Sequence, residues 1–221
     1  MNTAAPTLKI DFVSDIVCPW CAIGLSALEI ALSRLEGEVA VQLHFQPFEL
    51  HPDMGPEGAE VVPYLSKKYG MSAEQVAQNQ QNIAVRGAAV GFEFRMDRRS
   101  RTYNTFDAHR LLHWAAEEGS DAQQRALKHA LLRAHFTDGE NPGARAVLIA
   151  CTAQAGLDEA RAAEVVDSDE YADAVRERER LYLDAGIHSV PAVIINDRHL
   201  IAGGQPPEVF EQALRQIAAE S

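Results

Sequence analysis

The chain has 221 residues, 47% of them hydrophobic, and is long enough to bury the core of one large domain, with or without an insertion. Lys and Arg number 20 against 32 Asp and Glu, and the resulting net charge of −12 argues against nucleic acid as a partner. No apolar run approaches the roughly 20 residues that a membrane-spanning helix needs, so we expect no membrane association.

The amino-terminal part of the sequence predicts a strand, a helix and a second strand. Leu8–Val13 alternates and is rich in branched and aromatic residues, which favours a strand. Ala22–Leu35 carries an apolar stripe at helical spacing that stops before Gly37. Val39–Phe48 alternates again. A strand, a helix and a strand with a short return form a right-handed βαβ unit, so we expect the two strands to be parallel.

A Cys-Pro-Trp-Cys motif lies between the first strand and its helix, at Cys18 to Cys21. Two thiols at this spacing in a βα context are typical of a thioredoxin-like redox site. The free N–H groups and the dipole at a helix start stabilise a thiolate, and Pro19 suits the first helical position. Cys18 and Cys21 are therefore the predicted catalytic pair. The rival interpretations are an inert pair and half of a zinc site, which usually needs four ligands, and the sequence has no second C-x-x-C.

His51–Gly58 is a Pro/Gly loop, and from there to about Ala185 the sequence is almost wholly helical in pattern. Helices are predicted at Pro63–Tyr69, Ser72–Ala89, Asn104–Glu118, Asp121–Phe136, Gly143–Ala155, Asp158–Val166 and Ser168–Leu183. We expect Ser72 and Gln75 to form a capping box, and Asp167 and Glu170 to cap the last of these helices. The stretch Gly91–Arg101 is irregular in pattern.

The strand pattern returns at Ala192–Ile195 and His199–Ile201, which Asn196-Asp197 joins as a hairpin turn. Pro206-Pro207 opens a final helix. The order βαβ, helical block, αββα predicts one discontinuous domain of residues 1–51 and 184–221. An all-helical insertion of residues 52–183 interrupts it.

Val190-Pro191 precedes the first strand after the helical block. Thioredoxin-like folds place a cis-proline before this strand, facing the cysteine pair, and Pro191 stands at the matching topological position. A cis turn exposes the backbone of Val190, so an extended peptide can pair with it. We expect Val190 and Pro191, with Pro19 and Trp20 of the motif, to bind substrate.

Several short motifs together carry a family resemblance. In chain order they are Asp11-Phe12-Val13-Ser14-Asp15, Cys18-Pro19-Trp20-Cys21, Gly24, Asn104-Thr105-Phe106-Asp107-Ala108-His109-Arg110-Leu111, Val190-Pro191 and Gly203-Gly204-Gln205. In this order they resemble the DsbA-like thiol oxidoreductases, specifically the FrnE-type branch, over essentially the whole chain. The resemblance implies an α/β thioredoxin fold with a helical insertion, and disulfide exchange as the chemistry. It also implies Cys18 as nucleophile, Cys21 as resolving thiol and Pro191 as the cis-proline.

The expected function is therefore thiol-disulfide exchange with protein or small-thiol substrates, through a mixed disulfide on Cys18. No metal or bound cofactor is expected beyond the redox-active disulfide, and glutathione is a candidate co-substrate. The alternative is a glutathione-dependent isomerase or transferase, because 2-hydroxychromene-2-carboxylate isomerases and kappa-class glutathione transferases resemble this chain. Those enzymes typically carry Ser where Cys18 stands. A non-catalytic binding module would leave the thiol pair unexplained.

Location and assembly are predicted from weaker features. Met1–Leu8 lacks a basic segment followed by an apolar one, so we expect no secretory signal. Three cysteines do not make a disulfide scaffold, which favours the cytoplasm. The oligomeric state stays open, and the helical insertion offers a surface for a homodimer.

Three further groups have ordinary structural explanations. His109 and His113 stand four residues apart, as in some helical metal sites, but usually such pairs are solvated or satisfied in the core. Cys151 lies on an apolar stripe and is expected in the core. The arginines of Arg95–Arg101 could bind a carboxylate, but a solvated loop paired with Asp97 is favoured. The segment Asn104–Arg110 is a candidate to face the cysteine motif.

Overall fold

The computed structural model describes residues 6–220. Part of the segment used to exclude a secretory signal, residues 1–5, lies outside the described residues, as does residue 221. The strands are β1 (Thr7–Ser14), β2 (Ala40–Pro47), β3 (Ala59–Glu60), β4 (Arg101–Thr102), β5 (Ala192–Ile195) and β6 (His199–Ala202). The helices are α1 (Pro19–Arg34), α2 (Val61–Tyr69), α3 (Ala73–Ala89), α4 (Phe106–Glu118), α5 (Asp121–Arg133), α6 (Arg145–Gln154), α7 (Glu159–Val166), α8 (Ala172–Asp184) and α9 (Pro207–Ala219), with a π-helical turn at Ala134–Asp138.

Two halves of the sequence that are far apart meet in one sheet, whose strand order is β2-β1-β5-β6. β1 pairs with β2 in parallel and with β5 in antiparallel register, which confirms the predicted βαβ unit. The β5–β6 hairpin turns at Asn196 and Asp197, with φ of 52° and 56°. Both residues tolerate this left-handed backbone, so the predicted turn is confirmed.

The core is continuous between the sheet and the helical block. One apolar cluster joins β1, α1 and α9 with side chains of the helical block such as Phe94 and Phe136. A second cluster lies among α4–α7 and includes Ile16, from the loop just before the cysteine motif. Cys18 belongs to the first cluster and Ile16 to the second, so the loop between β1 and α1 is held from both sides.

Most predicted helices are present, and the Ser72–Gln75 capping box is confirmed. The last helix of the block differs, because α8 begins at Ala172 rather than at Ser168. The guanidinium of Arg110 donates to the carbonyls of Val165, Ser168 and Glu170, and these contacts hold the segment out of a helix.

The predicted caps of α8 are also wrong. Asp167 ends α7 and pairs with Arg145 at 2.7 Å, while Glu170 pairs with Arg161 at 2.5 Å. Tyr171, in the left-handed region with φ of 62°, precedes the helix. The division into residues 1–51 with 184–221, and 52–183, stays a prediction. Among residues 6–220, no helix is both long and apolar enough to cross a membrane.

Candidate active site

The two cysteines of the motif occupy the start of α1, where the sequence predicts them. Cys18 is the N-cap and Pro19 the first helical residue. The Cys18 carbonyl accepts hydrogen bonds from the N–H groups of Cys21 and Ala22 at 3.0 and 3.4 Å. The Cys18 side chain therefore lies at the end of the helix where unpaired N–H groups favour negative charge. Both thiols are free.

The loop before β5 faces Cys18. The Val190–Pro191 peptide bond is cis, and the Cys18 thiol lies 3.6 Å from the Val190 carbonyl oxygen, to which it donates. Gly24 lets this loop approach α1, because a Cβ there would meet Pro191 Cγ at 3.0 Å. Residues from opposite ends of the chain are thus held against one another.

A cleft of about 1030 Å³ opens beside Cys18, between the start of α1, the loop before β5, and helices α2 and α3. Cys18, Pro19, Trp20 and Val190 line it, whereas Pro191 packs behind them against Gly24. In the part of the chain that the structure describes, no Asp or Glu lines this cleft. Its walls are otherwise largely apolar.

Two arginines line the cleft. The Arg86 guanidinium lies 5.0 Å from the Trp20 ring centroid, a cation–π distance. Arg99 is only 6% exposed, and its Nε donates to His135 Nε2 at 3.0 Å. Burial lowers the pKa of Arg99 to about 10, and negative charge at Cys18 acts in the opposite direction. Burial also lowers the pKa of His135 to about 3, so His135 is a neutral acceptor.

The expectation of a solvated arginine loop is therefore wrong for Arg99. Arg95 does pair with Asp97, at 2.8 Å, as expected for the exposed part of the loop. Arg99 instead turns inward because its guanidinium stacks 5.0 Å from the Phe136 ring centroid, on the wall shared with the first apolar cluster.

A buried carboxylate anchors the loop that carries the motif. Asp15 accepts hydrogen bonds from the N–H groups of Ile16 and Leu50, at 2.6 and 2.7 Å, and from Thr105 Oγ1 at 2.7 Å. His109 Nε2 lies 3.4 Å from the same carboxylate. Burial raises the pKa of Asp15, but His109 and the other donors outweigh it, and the pKa is lowered. The segment Asn104–Arg110 thus reaches Asp15 rather than the cysteines.

The inner thiol has a different environment from the outer one. Cys21 is fully buried, and burial raises its pKa well above the ordinary value, with the Cys18 hydrogen bond and charge adding to the effect. The charge of Lys128, also fully buried, opposes this rise. Lys128 Nζ has no hydrogen-bond partner within residues 6–220 and lies 5.9 Å from the Phe45 ring centroid. Burial lowers the pKa of Lys128 to about 8.

The remaining candidates play structural parts. His109 contacts Asp15, while His113 packs 5.3 Å from the Tyr171 ring centroid, so the two histidines do not converge. No group of three or more His, Cys, Asp or Glu among the described residues is arranged to hold a metal ion. Cys151 is buried in the second apolar cluster, as predicted, and burial raises its pKa to about 12.

Three residues near the cysteine pair were not expected there from the sequence. Asp15 could have been found, because it is a carboxylate at the end of an otherwise apolar run just before the motif. No local pattern distinguishes Arg99 from the other arginines of Arg95–Arg101, and none marks Lys128. Only the packing of the helical block against α1 brings them to the site.

Comparison with known proteins assigns the fold. Residues 9–215 match the model of the DSBA-like thioredoxin domain. The chain belongs to this family. A thioredoxin fold with a helical insertion is thereby confirmed. The insertion is not all-helical as predicted, because it also holds the short β3–β4 pair. The family is one of thiol oxidoreductases.

Three relatives show how far the family likeness extends. The probable DsbA oxidoreductase SCO1869 from Streptomyces coelicolor is 35% identical and superposes with a TM-score of 0.87, over 97% of this chain and 91% of that one. YwbO from Bacillus subtilis, which is uncharacterized, is 29% identical over 94% of this chain and 96% of its own length. The cytosolic disulfide reductase DsbM from Pseudomonas aeruginosa, solved with glutathione (GSH), shares the fold at 20% identity and a TM-score of 0.62, over 96% of this chain and 99% of its own.

Proposed function

We propose that this protein is a thiol-disulfide oxidoreductase in which Cys18 and Cys21 alternate between dithiol and disulfide. One observation carries the proposal. Cys18 caps α1 at the wall of a cleft, opposite the Val190 carbonyl at 3.6 Å, while Cys21 is sealed behind it. An outer thiol for exchange and an inner thiol for resolution are what disulfide exchange requires.

The reaction follows from this arrangement. The Cys18 thiolate attacks a substrate disulfide, a bond forms between Cys18 and one substrate sulfur, and the other sulfur leaves as a thiolate. Cys21 then gives up its proton and attacks the Cys18 sulfur. The Cys18–Cys21 bond forms, and the second substrate sulfur leaves and takes up a proton. Two electrons have passed to the substrate, and the reverse sequence oxidises a substrate dithiol.

The cleft supplies the substrate contacts. Its volume of about 1030 Å³ lies at the upper end of the range common for small-molecule sites, which suits a small disulfide or a short extended peptide. In this proposal the Val190 backbone pairs with the substrate, Pro19 and Trp20 flank the exchanging sulfur, and Pro191 positions Val190. Glutathione is a candidate co-substrate, since the similar fold of DsbM was solved with it. A cytoplasmic location is part of the same proposal.

Reduction of insulin by dithiothreitol, with and without the protein, tests this function. We expect the wild type to accelerate insulin precipitation and Cys18→Ser to return it to the rate without protein. Cys151→Ser is the matched control, because it removes the buried thiol outside the site, and we expect full activity. Acceleration that survives in Cys18→Ser would reject the proposal. Glutathione conjugation that survives in the same variant would favour the isomerase or transferase class instead.

A further inference from the structure

Arg99 is a buried cation whose guanidinium fork is left unused by the protein. Its Nε is occupied by His135, but across residues 6–220 neither terminal nitrogen takes part in a hydrogen bond or an ion pair. Those nitrogens are also not among the polar atoms sealed from solvent, so they open onto the cleft that Arg99 lines. Burying a charge without an ion-pair partner is costly. The chain has 32 Asp and Glu against 20 Lys and Arg, yet none of these carboxylates pairs with Arg99 among the described residues.

A second buried arginine, Arg110, has a hydrogen-bond partner for every nitrogen of its guanidinium. Arg110 is 3% exposed and donates to the Asp107 carboxylate at 2.8 Å and to the Glu170 carbonyl at 2.9 Å, besides two further carbonyls. The open fork of Arg99 is therefore a specific feature of the cleft, and a guanidinium fork matches a carboxylate in bidentate geometry.

The cleft as a whole favours a negative ligand. In a chain with a net charge of −12, its described walls hold Arg86 and Arg99 and no carboxylate. A cleft of one sign with low-dielectric walls focuses its field on the opposite charge. Negative charge at Cys18 acts on Arg99, which places the guanidinium within electrostatic reach of the exchanging sulfur.

We propose that Arg99 forms a carboxylate subsite beside Cys18, so that the site exchanges preferentially with disulfides that carry a carboxylate close to the sulfur. This rests on the proposed function and names its substrate class. In the reaction, the Cys18 thiolate and Cys21 thiol reduce one anionic disulfide. The products are the Cys18–Cys21 disulfide, one substrate thiolate and one substrate thiol, while the carboxylate stays on Arg99 and changes no bond.

Three short aliphatic disulfides of different charge test this subsite: 3,3′-dithiodipropionate, a dianion; 2-hydroxyethyl disulfide, which is neutral; and cystamine, a dication. Loss of thiols from the reduced protein is followed with each, and each rate is divided by the rate of the same disulfide with dithiothreitol, because the three leaving thiols differ in pKa. We expect the wild type to prefer the dianion over the neutral disulfide by about tenfold and cystamine to be slowest. The preference should shrink as salt is added, because salt screens charge in an open cleft.

Variants separate a subsite from a general effect on Cys18. Arg99→Met should remove the preference for the dianion and leave the neutral disulfide within about twofold of wild type, since only one substrate loses a partner. Arg99→Lys should keep part of the preference, because it keeps the charge without the fork. Arg98→Met removes the same charge from an exposed neighbour outside the cleft and should behave as wild type.

Two results would overturn the subsite. One is an equal rate loss with all three disulfides in Arg99→Met, which would show that Arg99 acts on the reactivity of Cys18 and not on a substrate carboxylate. The other is a wild type that reacts with all three without preference, a result that needs no variant to fold. A wild type that reacts with none of them would reject the proposed function, and the subsite with it.

Discussion

The two cysteines stand three residues apart and are both buried, yet only Cys18 borders a cleft. Cys18 lies at a helix N-terminus and lines a large cleft that Arg99 also lines. Cys21 lies in the core, fully buried, where burial raises its pKa well above the ordinary value and Lys128 opposes the rise. The difference separates two tasks, because the outer sulfur meets substrates and the inner sulfur meets only its neighbour.

The two cations differ in the same way. Arg99 keeps its terminal nitrogens open to the cleft, whereas Lys128 Nζ is sealed without a hydrogen-bond partner among residues 6–220. A guanidinium that faces a cleft can bind an incoming group. An ammonium sealed from solvent can act on Cys21 only through its charge and its proton.

Removal of the inner thiol, in Cys21→Ser, is the strongest test of the difference between the two cysteines. In Cys21→Ser we expect the mixed disulfide on Cys18 to form and then persist, because no thiolate remains to resolve it. Turnover should fall to the uncatalysed rate. Non-reducing mass spectrometry after reaction with 2-hydroxyethyl disulfide should show one stable adduct, and prompt release of that adduct would contradict the division of tasks.

Lys128→Met tests the charge beneath the pair. Without the ammonium, resolution by Cys21 should slow and the reduced folded state should gain about 3 kcal/mol at neutral pH, since burial lowers the pKa of Lys128 from 10.5 to about 8. The unfolded chain binds the extra proton between these pKa values. The difference in free energy of unfolding between Lys128→Met and the wild type, the stability gap, should therefore close as the pH rises from about 8 to about 10.5.

Denaturant unfolding at a series of pH values measures this gap. Lys67→Met, at an exposed position, is the matched control and should show neither the stabilisation nor the pH dependence. A gap that stays constant through this window would mean that Lys128 does not carry a lowered pKa.

Asp15→Asn loosens the loop that places the motif. We expect a loss of about 2 kcal/mol at neutral pH, because the donors of Ile16 and Leu50 would compete for fewer acceptors. The folded pKa of Asp15 is lowered, so its contribution exists above the unfolded pKa and is lost as the pH falls through the folded value. The stability difference between the two proteins should begin to shrink below about pH 4, near the unfolded pKa, and vanish only below the lowered folded pKa. Asp53→Asn, which is exposed, should unfold like the wild type at every pH.

Trp20→His has the smallest expected effect. Histidine adds a donor and a possible positive charge next to Cys18, which stabilises the reduced form and makes the couple more oxidising. We expect a rise of about 30 mV in reduction potential, a tenfold change in the equilibrium constant. Equilibration in glutathione buffers measures this potential. An unchanged or lower value would show that the residue at position 20 does not raise the reduction potential of the Cys18–Cys21 couple.

The fold could be predicted because its determinants are local. The strand alternation, the Asn196-Asp197 turn, the Ser72 capping box and the position of Cys18 at a helix start all follow from short stretches of sequence. The start of α8 could not be predicted, because Arg110 from another helix takes up the carbonyls that precede it.

In the site, too, the residues of a local motif could be predicted and those brought in by packing could not. The Cys-Pro-Trp-Cys motif predicts the two cysteines. Arg99 and Lys128 come near the pair only through packing between the helical block and α1. Arg99 was expected in a solvated loop because Asp97 is interleaved with the arginines of that run, and Arg95 does pair with Asp97. Spacing along the chain cannot show which member of a charged run turns inward.

The central claim is that exchange begins on the outer sulfur and ends with a bond to the inner one. Rapid quenching of the reduced wild type during its reaction with 2-hydroxyethyl disulfide, followed by peptide mass spectrometry, tests it directly. We predict a transient adduct on Cys18 alone, replaced by an internal Cys18–Cys21 disulfide. An adduct that appears first on Cys21 or Cys151, or oxidation that never joins Cys18 to Cys21, would contradict the account.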